Sequence, residues 1–132
     1  MEITKMINLT KHPISLIGKA GITEIPPSGK IARIKFKKKS LRLVEGLPVP
    51  VNPLSEPEFI EGLPDPQEGT VYLVSRLVIT HIRSRPDVFA PDTSWGSTVR
   101  NNFGDIVGVT RLFSTPEYAA KYLTVQPTQG SD

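Results

Sequence analysis

Ser75 and Arg76 follow directly on the apolar run Val71-Tyr72-Leu73-Val74. Asp92, Thr93 and Ser94 stand just beyond a second run, Asp87-Val88-Phe89-Ala90, closed by Pro91. If both runs are strands, these five residues gather at strand ends, where ligands of parallel α/β units bind. Ser75 is a favoured residue at a helix start, and free backbone N–H groups there attract anions. Arg76 adds a planar fork that matches phosphate or carboxylate. Arg100 can approach from the segment that follows. The chemistry this points to is the binding of a small anionic, nucleotide-like ligand without catalysis. The plainer alternative is that Ser75 only caps a helix, while Asp92 and Thr93 form ordinary Asx or Ser/Thr turns.

A second constellation is cationic. Lys30, Arg33, Lys35, Lys37, Lys38, Lys39 and Arg42 fall within thirteen positions. On a strand, alternation puts Arg33, Lys35 and Lys37 on one face, which could track the phosphates of a nucleic acid. Stacking would need aromatics, and only Phe36 is near, on the opposite face. A charged edge strand that discourages aggregation has the same composition. The wider balance agrees with a basic surface in the first third: residues 1–45 carry ten Lys and Arg against three Glu, residues 46–132 six against ten acids. Such asymmetry fits an anionic partner, or two halves that neutralise each other.

Catalytic patterns are missing. No cysteine occurs, so disulfides, thiolate chemistry and Cys-based metal sites are excluded. Of the two histidines, His12 precedes Pro13 in an extended stretch, and His81 is expected to pack on a helix face with Leu77, Val78 and Ile82. Neither has a nucleophile or acid partner nearby in sequence. No phosphate-loop, serine-hydrolase, zinc-protease or dinucleotide motif is present. The expectation is therefore no enzyme, no cofactor and no metal. Trp95, beside Gly96, is expected to plug a loop.

The elements that must position these residues are short. Thirteen prolines and ten glycines forbid long helices. Ile14–Ile17 and Ile22–Ile25 read as short strands, and Pro26-Pro27-Ser28-Gly29 as a turn. Ile31–Lys37 alternates as a half-buried strand with a basic outer face, and Leu41–Glu45 is expected to continue its sheet. The pattern Glu-Gly-Leu-Pro-x-Pro occurs at Glu45–Pro50 and Glu61–Pro66, either as matched turns around a hairpin holding Glu58–Glu61 or as coincidence. Val71–Val74 reads as a central strand covered on both faces. Arg76–Arg83 reads as an amphipathic helix of two to three turns, and Asp87–Ala90 as a strand parallel to the first. Ser97–Arg100 and Ile106–Phe113 form a hairpin around Asn101–Asp105, with Gly104 in the turn. Ser114 and Glu117 stand in capping-box register for a last helix, to about residue 123. The fold class is thus α+β: a β-rich N-terminal part, one strand–helix–strand unit, a hairpin and a short C-terminal helix. Residues 1–123 make one domain and 124–132 a flexible tail. Without an apolar run of about 18 residues or a secretory leader, cytoplasmic residence is expected.

Several stretches together resemble a family of small bacterial and phage proteins: Ile7-Asn8-Leu9-Thr10-x-His12-Pro13, Ile25-Pro26-Pro27-Ser28-Gly29-x-x-Ala32-Arg33, Gly62-Leu63-Pro64-x-Pro66-x-x-Gly69-Thr70, Tyr72-x-Val74-Ser75, Pro91-Asp92-Thr93 and Gly104-x-Ile106-x-Gly108-Val109. The resemblance spans about residues 7–112 and implies a free-standing domain of phage or mobile-element origin. It brings no activity and no functional residues. It leaves room for an accessory, assembly or host-inhibitory protein acting through protein–protein contacts, in keeping with the Pro-rich middle.

Overall fold

The computed structural model describes residues 2–37, 41–53 and 57–123. In chain order these form β1 (Lys5–Asn8), β2 (Ile14–Gly18), β3 (Gly21–Ile25), β4 (Arg33–Phe36) and β5 (Pro57–Glu61). There follow β6 (Thr70–Leu73), α1 (Arg76–Ile79), β7 (Val88–Pro91), β8 (Thr98–Arg100), β9 (Ile106–Val109), β10 (Leu112–Ser114) and α2 (Pro116–Tyr122). The fold is α+β.

The unbroken apolar run at residues 71–74 explains the architecture. A strand that does not alternate must be covered on both faces, and β6 is fully buried. It lies inside a sheet of order β1-β6-β7-β10, parallel to β1 and to β7, while β10 runs antiparallel to β7. Because side chains alternate, its two faces feed two cores. Tyr72 and Val74 join Val88 and Ala90 beneath Val78, Ile79 and Ile82 of the α1 region. Ile34 and Ile60 of the β4–β5 pair close that side. Val71, Leu73 and Phe89 face Ile14 and Ile25 of the second sheet, with Tyr118 of α2 alongside. This second sheet has the order β3-β2-β9-β8.

Several details depart from the expectations. Leu41–Glu45 does not extend the β4 sheet; the chain there makes only an isolated bridge, Arg42 with Val51. Four prolines between residues 48 and 57 remove the N–H groups a longer ladder would need. The helix after β6 is one turn, Arg76–Ile79, prolonged by turn-type bonds from His81 and Ile82 to Val78 and Ile79. The β-branched residues Val78, Ile79, Thr80 and Ile82 disfavour further helix. In this tight geometry Val78, Ile79 and Ile82 face the core, while Leu77 and His81 are exposed, so His81 does not pack. Ile106–Phe113 is two strands: Thr110 donates its N–H to Ser97, and the chain passes from the second sheet into the first. Thr115, not Ser114, caps α2, accepting from the Tyr118 N–H. Trp95 is 78% exposed and plugs nothing.

The two copies of the Glu-Gly-Leu-Pro pattern fall in a turn at Gly46 and in a bend after β5 at Gly62. Gly46 and Gly62 both have positive φ, +89° and +84°. At Gly62 glycine is doubly required, since a Cβ there would run into the Ile31 carbonyl oxygen. The expected tail, 124–132, and the Lys38–Ser40 part of the basic run lie outside the described residues.

Candidate functional site

β1, β6 and β7 run parallel, so their C-terminal ends emerge together. From them lead Thr10, Ser75 with Arg76, and Pro91 with Thr93. Across from these ends stand the first residues of β2 (Ile14, Ser15) and the strand β9. Between them opens a cleft of about 370 Å³, within the range of roughly 300–1,000 Å³ typical of small-molecule sites. Its walls are mainly apolar, from Pro13, Ile14, Pro91 and residues 106–109, with hydroxyls of Thr10, Ser15, Ser75 and Thr93 set among them. His12 and Arg76 are its titratable or charged lining groups. Gly108 keeps the β9 wall close to β2: a Cβ there would meet the Ile17 side chain at 2.5 Å and the Ser15 carbonyl oxygen at 3.1 Å.

One buried side chain builds the rim. Asn8, 1% exposed, ends β1 with all its bonding capacity directed at the cleft's approach. Its Nδ2 donates to the His12 carbonyl at 2.8 Å and to the Ile25 carbonyl at 3.0 Å. Its Oδ1 accepts from the Thr10 N–H at 2.9 Å and the Thr10 hydroxyl at 2.6 Å. The turn Thr10–His12 is thus held in shape and tied to the start of the second sheet. Burial of an amide with these four bonds is compatible with stability because every lone pair and proton it offers has a partner.

Ser75 caps α1, its hydroxyl accepting from the Val78 N–H at 3.3 Å. A four-residue helix aligns few peptide dipoles, so its start adds little positive field. Arg76 is the charged residue of the lining; its guanidinium lies over the Phe113 ring at 5.0 Å, beside a neighbouring pocket that Arg76 and Phe113 both line. Among the described residues the Arg76 guanidinium has no carboxylate partner.

The six residues expected at the site therefore divide. Ser75, Arg76 and Thr93 line the cleft; Asp92, Ser94 and Arg100 do not. Asp92 makes an Asx turn, accepting from the Ser94 hydroxyl at 2.6 Å and N–H at 2.9 Å, with Ser97 Oγ on its other oxygen at 3.1 Å. The Ser94 bonds hold its carboxyl below the usual aspartate range. Arg100 donates to the Gly104 carbonyl at 2.7 Å and stacks on Trp95 at 4.5 Å, along the β8–β9 hairpin. Thr10, His12 and Ser15 were not expected. Their signal was present in the Asn8-Leu9-Thr10-x-His12-Pro13 stretch, but nothing local in the sequence shows that β1 lies beside β6.

A second cleft, of about 480 Å³, adjoins the first across Thr10, His12 and Ser75. It is lined by Lys11, Arg33 and Phe36 with Leu77 and Val78 opposite. On β4, Arg33, Lys35 and Phe36 are exposed, as is Lys37 just beyond it. Lys35 pairs with Glu61 on β5 at 3.1 Å, both half-exposed. Among the described residues no cluster of His, Asp and Glu is arranged to hold a metal ion, and no helix is long and apolar enough to cross a membrane.

No family model matches the chain, and neither does any curated protein or solved structure.

Proposed function

We propose that this chain is a non-enzymatic binding module for a small anionic, nucleotide-like ligand, seated in the cleft at the ends of β1, β6 and β7. The observation that carries the reading is the convergence, at those ends, of an apolar slot of about 370 Å³ with four hydroxyl side chains and Arg76, whose guanidinium has no carboxylate partner among the described residues. An apolar body fills the slot, the hydroxyls orient it, and Arg76 takes the anionic group. His12 has no carboxylate among the other described lining residues to orient it toward one of the four hydroxyls, which favours binding over catalysis.

Thermal denaturation against a panel of nucleoside mono- and diphosphates tests this. A ligand at 100 times its Kd adds about 2.7 kcal/mol, which raises the Tm of a domain of this size by roughly 10 °C. Arg76→Ala is expected to lower affinity at least tenfold, because a charge-assisted contact contributes about 1.5–3 kcal/mol. Arg76 is exposed, so the unliganded Tm should move little. A full panel without stabilisation, or a shift indifferent to Arg76→Ala, counts against the reading.

A protein-binding role has one specific observation in its favour. Between β4 and β5, Leu41, Leu43, Val44, Leu47 and Val49 are exposed, in a loop that carries the isolated bridge of Arg42 with Val51. Adjacent exposed side chains of this kind are characteristic of protein contact surfaces. An accessory protein of phage type would dock through this loop, and a specific partner that is lost on Leu43→Ser would support that reading.

A further inference from the structure

The two adjoining clefts carry an inference that rests on the anionic-ligand reading and extends it. Neither cleft has an Asp or Glu among its described lining residues. The first holds Arg76; the second holds Lys11 and Arg33. Beyond Arg33, Lys35 on the same strand and Lys37 just past its end are both exposed. The register of β4 shifts between Lys35 and Phe36, and Phe36, at the strand's end, lines the second cleft together with Arg33 and Leu77. Phe36 is 42% exposed, and an exposed ring offers a face on which a base can stack. The two clefts meet at Thr10, His12 and Ser75, whose side chains are hydrogen-bonding groups rather than a wall of apolar bulk.

We infer that the ligand is a short single-stranded oligonucleotide: one nucleotide enters the cleft at Arg76, the backbone crosses at His12 and Ser75, and the next base lies on Phe36. The following phosphates track Arg33, Lys35 and Lys37. Clefts that present Arg76, Lys11 and Arg33, with no acid among their described lining residues, select a polyanion. Two separate slots select unpaired bases, because a duplex cannot splay them. The Lys35–Glu61 pair does not block the path, since an exposed ion pair contributes little and gives way to a phosphate.

The test is fluorescence anisotropy with end-labelled six-nucleotide DNA and RNA of mixed sequence, at about 0.15 M salt, so that only binding that survives physiological screening counts. Both hexamers, or the RNA alone if the 2′-hydroxyl is read, are expected to bind at least tenfold tighter than a mononucleotide. Phe36→Ala is expected to weaken hexamer binding about fivefold to a hundredfold, as loss of one base–aromatic stack does. Phe36→Tyr should restore it, which separates stacking from misfolding. Lys11→Ala with Arg33→Ala should weaken hexamer binding by a similar factor and leave the mononucleotide thermal shift unchanged.

Hexamer binding no tighter than mononucleotide binding, or untouched by these variants, overturns the extended path while the single-cleft reading stands. Hexamer binding that survives Arg76→Ala also overturns it, since the path would not enter the first cleft. Self-association, or a protein seated across Phe36 and Leu77 in place of the hexamer, overturns it as well. A mononucleotide and a hexamer that both fail to bind remove the underlying reading too.

Discussion

Asp87→Ala is expected to destabilise the protein by about 3–5 kcal/mol, the usual consequence of stranding one member of a buried ion pair. Asp87 is 5% exposed, and the Arg85 side chain 20%. Arg85 Nε donates to one Asp87 oxygen and Nη2 to the other, both at 2.9 Å. Nη2 also donates to the Pro64 carbonyl at 2.7 Å, and the guanidinium lies 5.9 Å from the Tyr72 ring centre. The hydrogen bonds to Asp87 raise the Arg85 pKa above its ordinary value, and without them the guanidinium still keeps its proton, because an arginine does not deprotonate in proteins.

This cluster joins three parts of the chain. Pro64 belongs to the turn after β5, and the Arg85 carbonyl accepts from the Thr115 hydroxyl, the cap of α2, at 2.9 Å. Removal of Asp87 leaves a cation in a site that water reaches poorly. A fall in Tm on the order of 10–20 °C should follow in calorimetry. Arg85→Met combined with Asp87→Leu should lose less than Asp87→Ala alone, because no charge is left stranded. A loss under about 1 kcal/mol for Asp87→Ala would show that the pair is solvated after all.

Asn8→Asp is the second large effect, and it reaches the site. The substitution preserves shape and removes both amide protons. A carboxylate would then face the His12 and Ile25 carbonyl oxygens, which the Asn8 amide now satisfies. Unmet buried acceptors cost about 1–3 kcal/mol each, so a loss on the order of 3 kcal/mol is expected in urea denaturation. Beyond stability, the Thr10–His12 turn loses its tie to the second sheet. Ligand stabilisation should therefore fall by more than the stability loss alone explains. Asn8→Asp with native stability and a native ligand response would remove Asn8 as the organiser of this rim.

How much of this was legible in sequence varied with the range of the interaction. The run Val71–Val74 announced a strand covered on both faces, because failure to alternate has one physical meaning in a short apolar run. The parallel β6–β7 pair and the Ser75 cap followed from residues adjacent in the chain. The alternation of Arg33, Lys35 and Lys37 likewise placed them on an outer face. What the sequence did not show was which strands lie side by side. β1 pairs with β6 across more than sixty residues, as Met6 with Val71, and only this pairing brings Thr10 and His12 to Ser75. Asp92 and Ser94 were judged by position and by residue type. In the fold their hydrogen bonds are spent on one Asx turn, the plainer of the two readings open for Asp92. Arg100 followed its hairpin toward Trp95 rather than toward the cleft. The α1 helix was overextended because its β-branched residues fit a single turn better than three.

The central claim is that the ends of β1, β6 and β7 form a site for an anionic ligand. Titration of a nucleoside monophosphate into isotope-labelled protein, followed by amide chemical shifts, tests it most directly. The expected result is saturable shifts concentrated at Thr10, Ser15, Ser75, Thr93 and Gly108, abolished by Arg76→Ala. Shifts centred instead on the Trp95–Arg100 hairpin, or no saturable shifts at millimolar ligand, would contradict it.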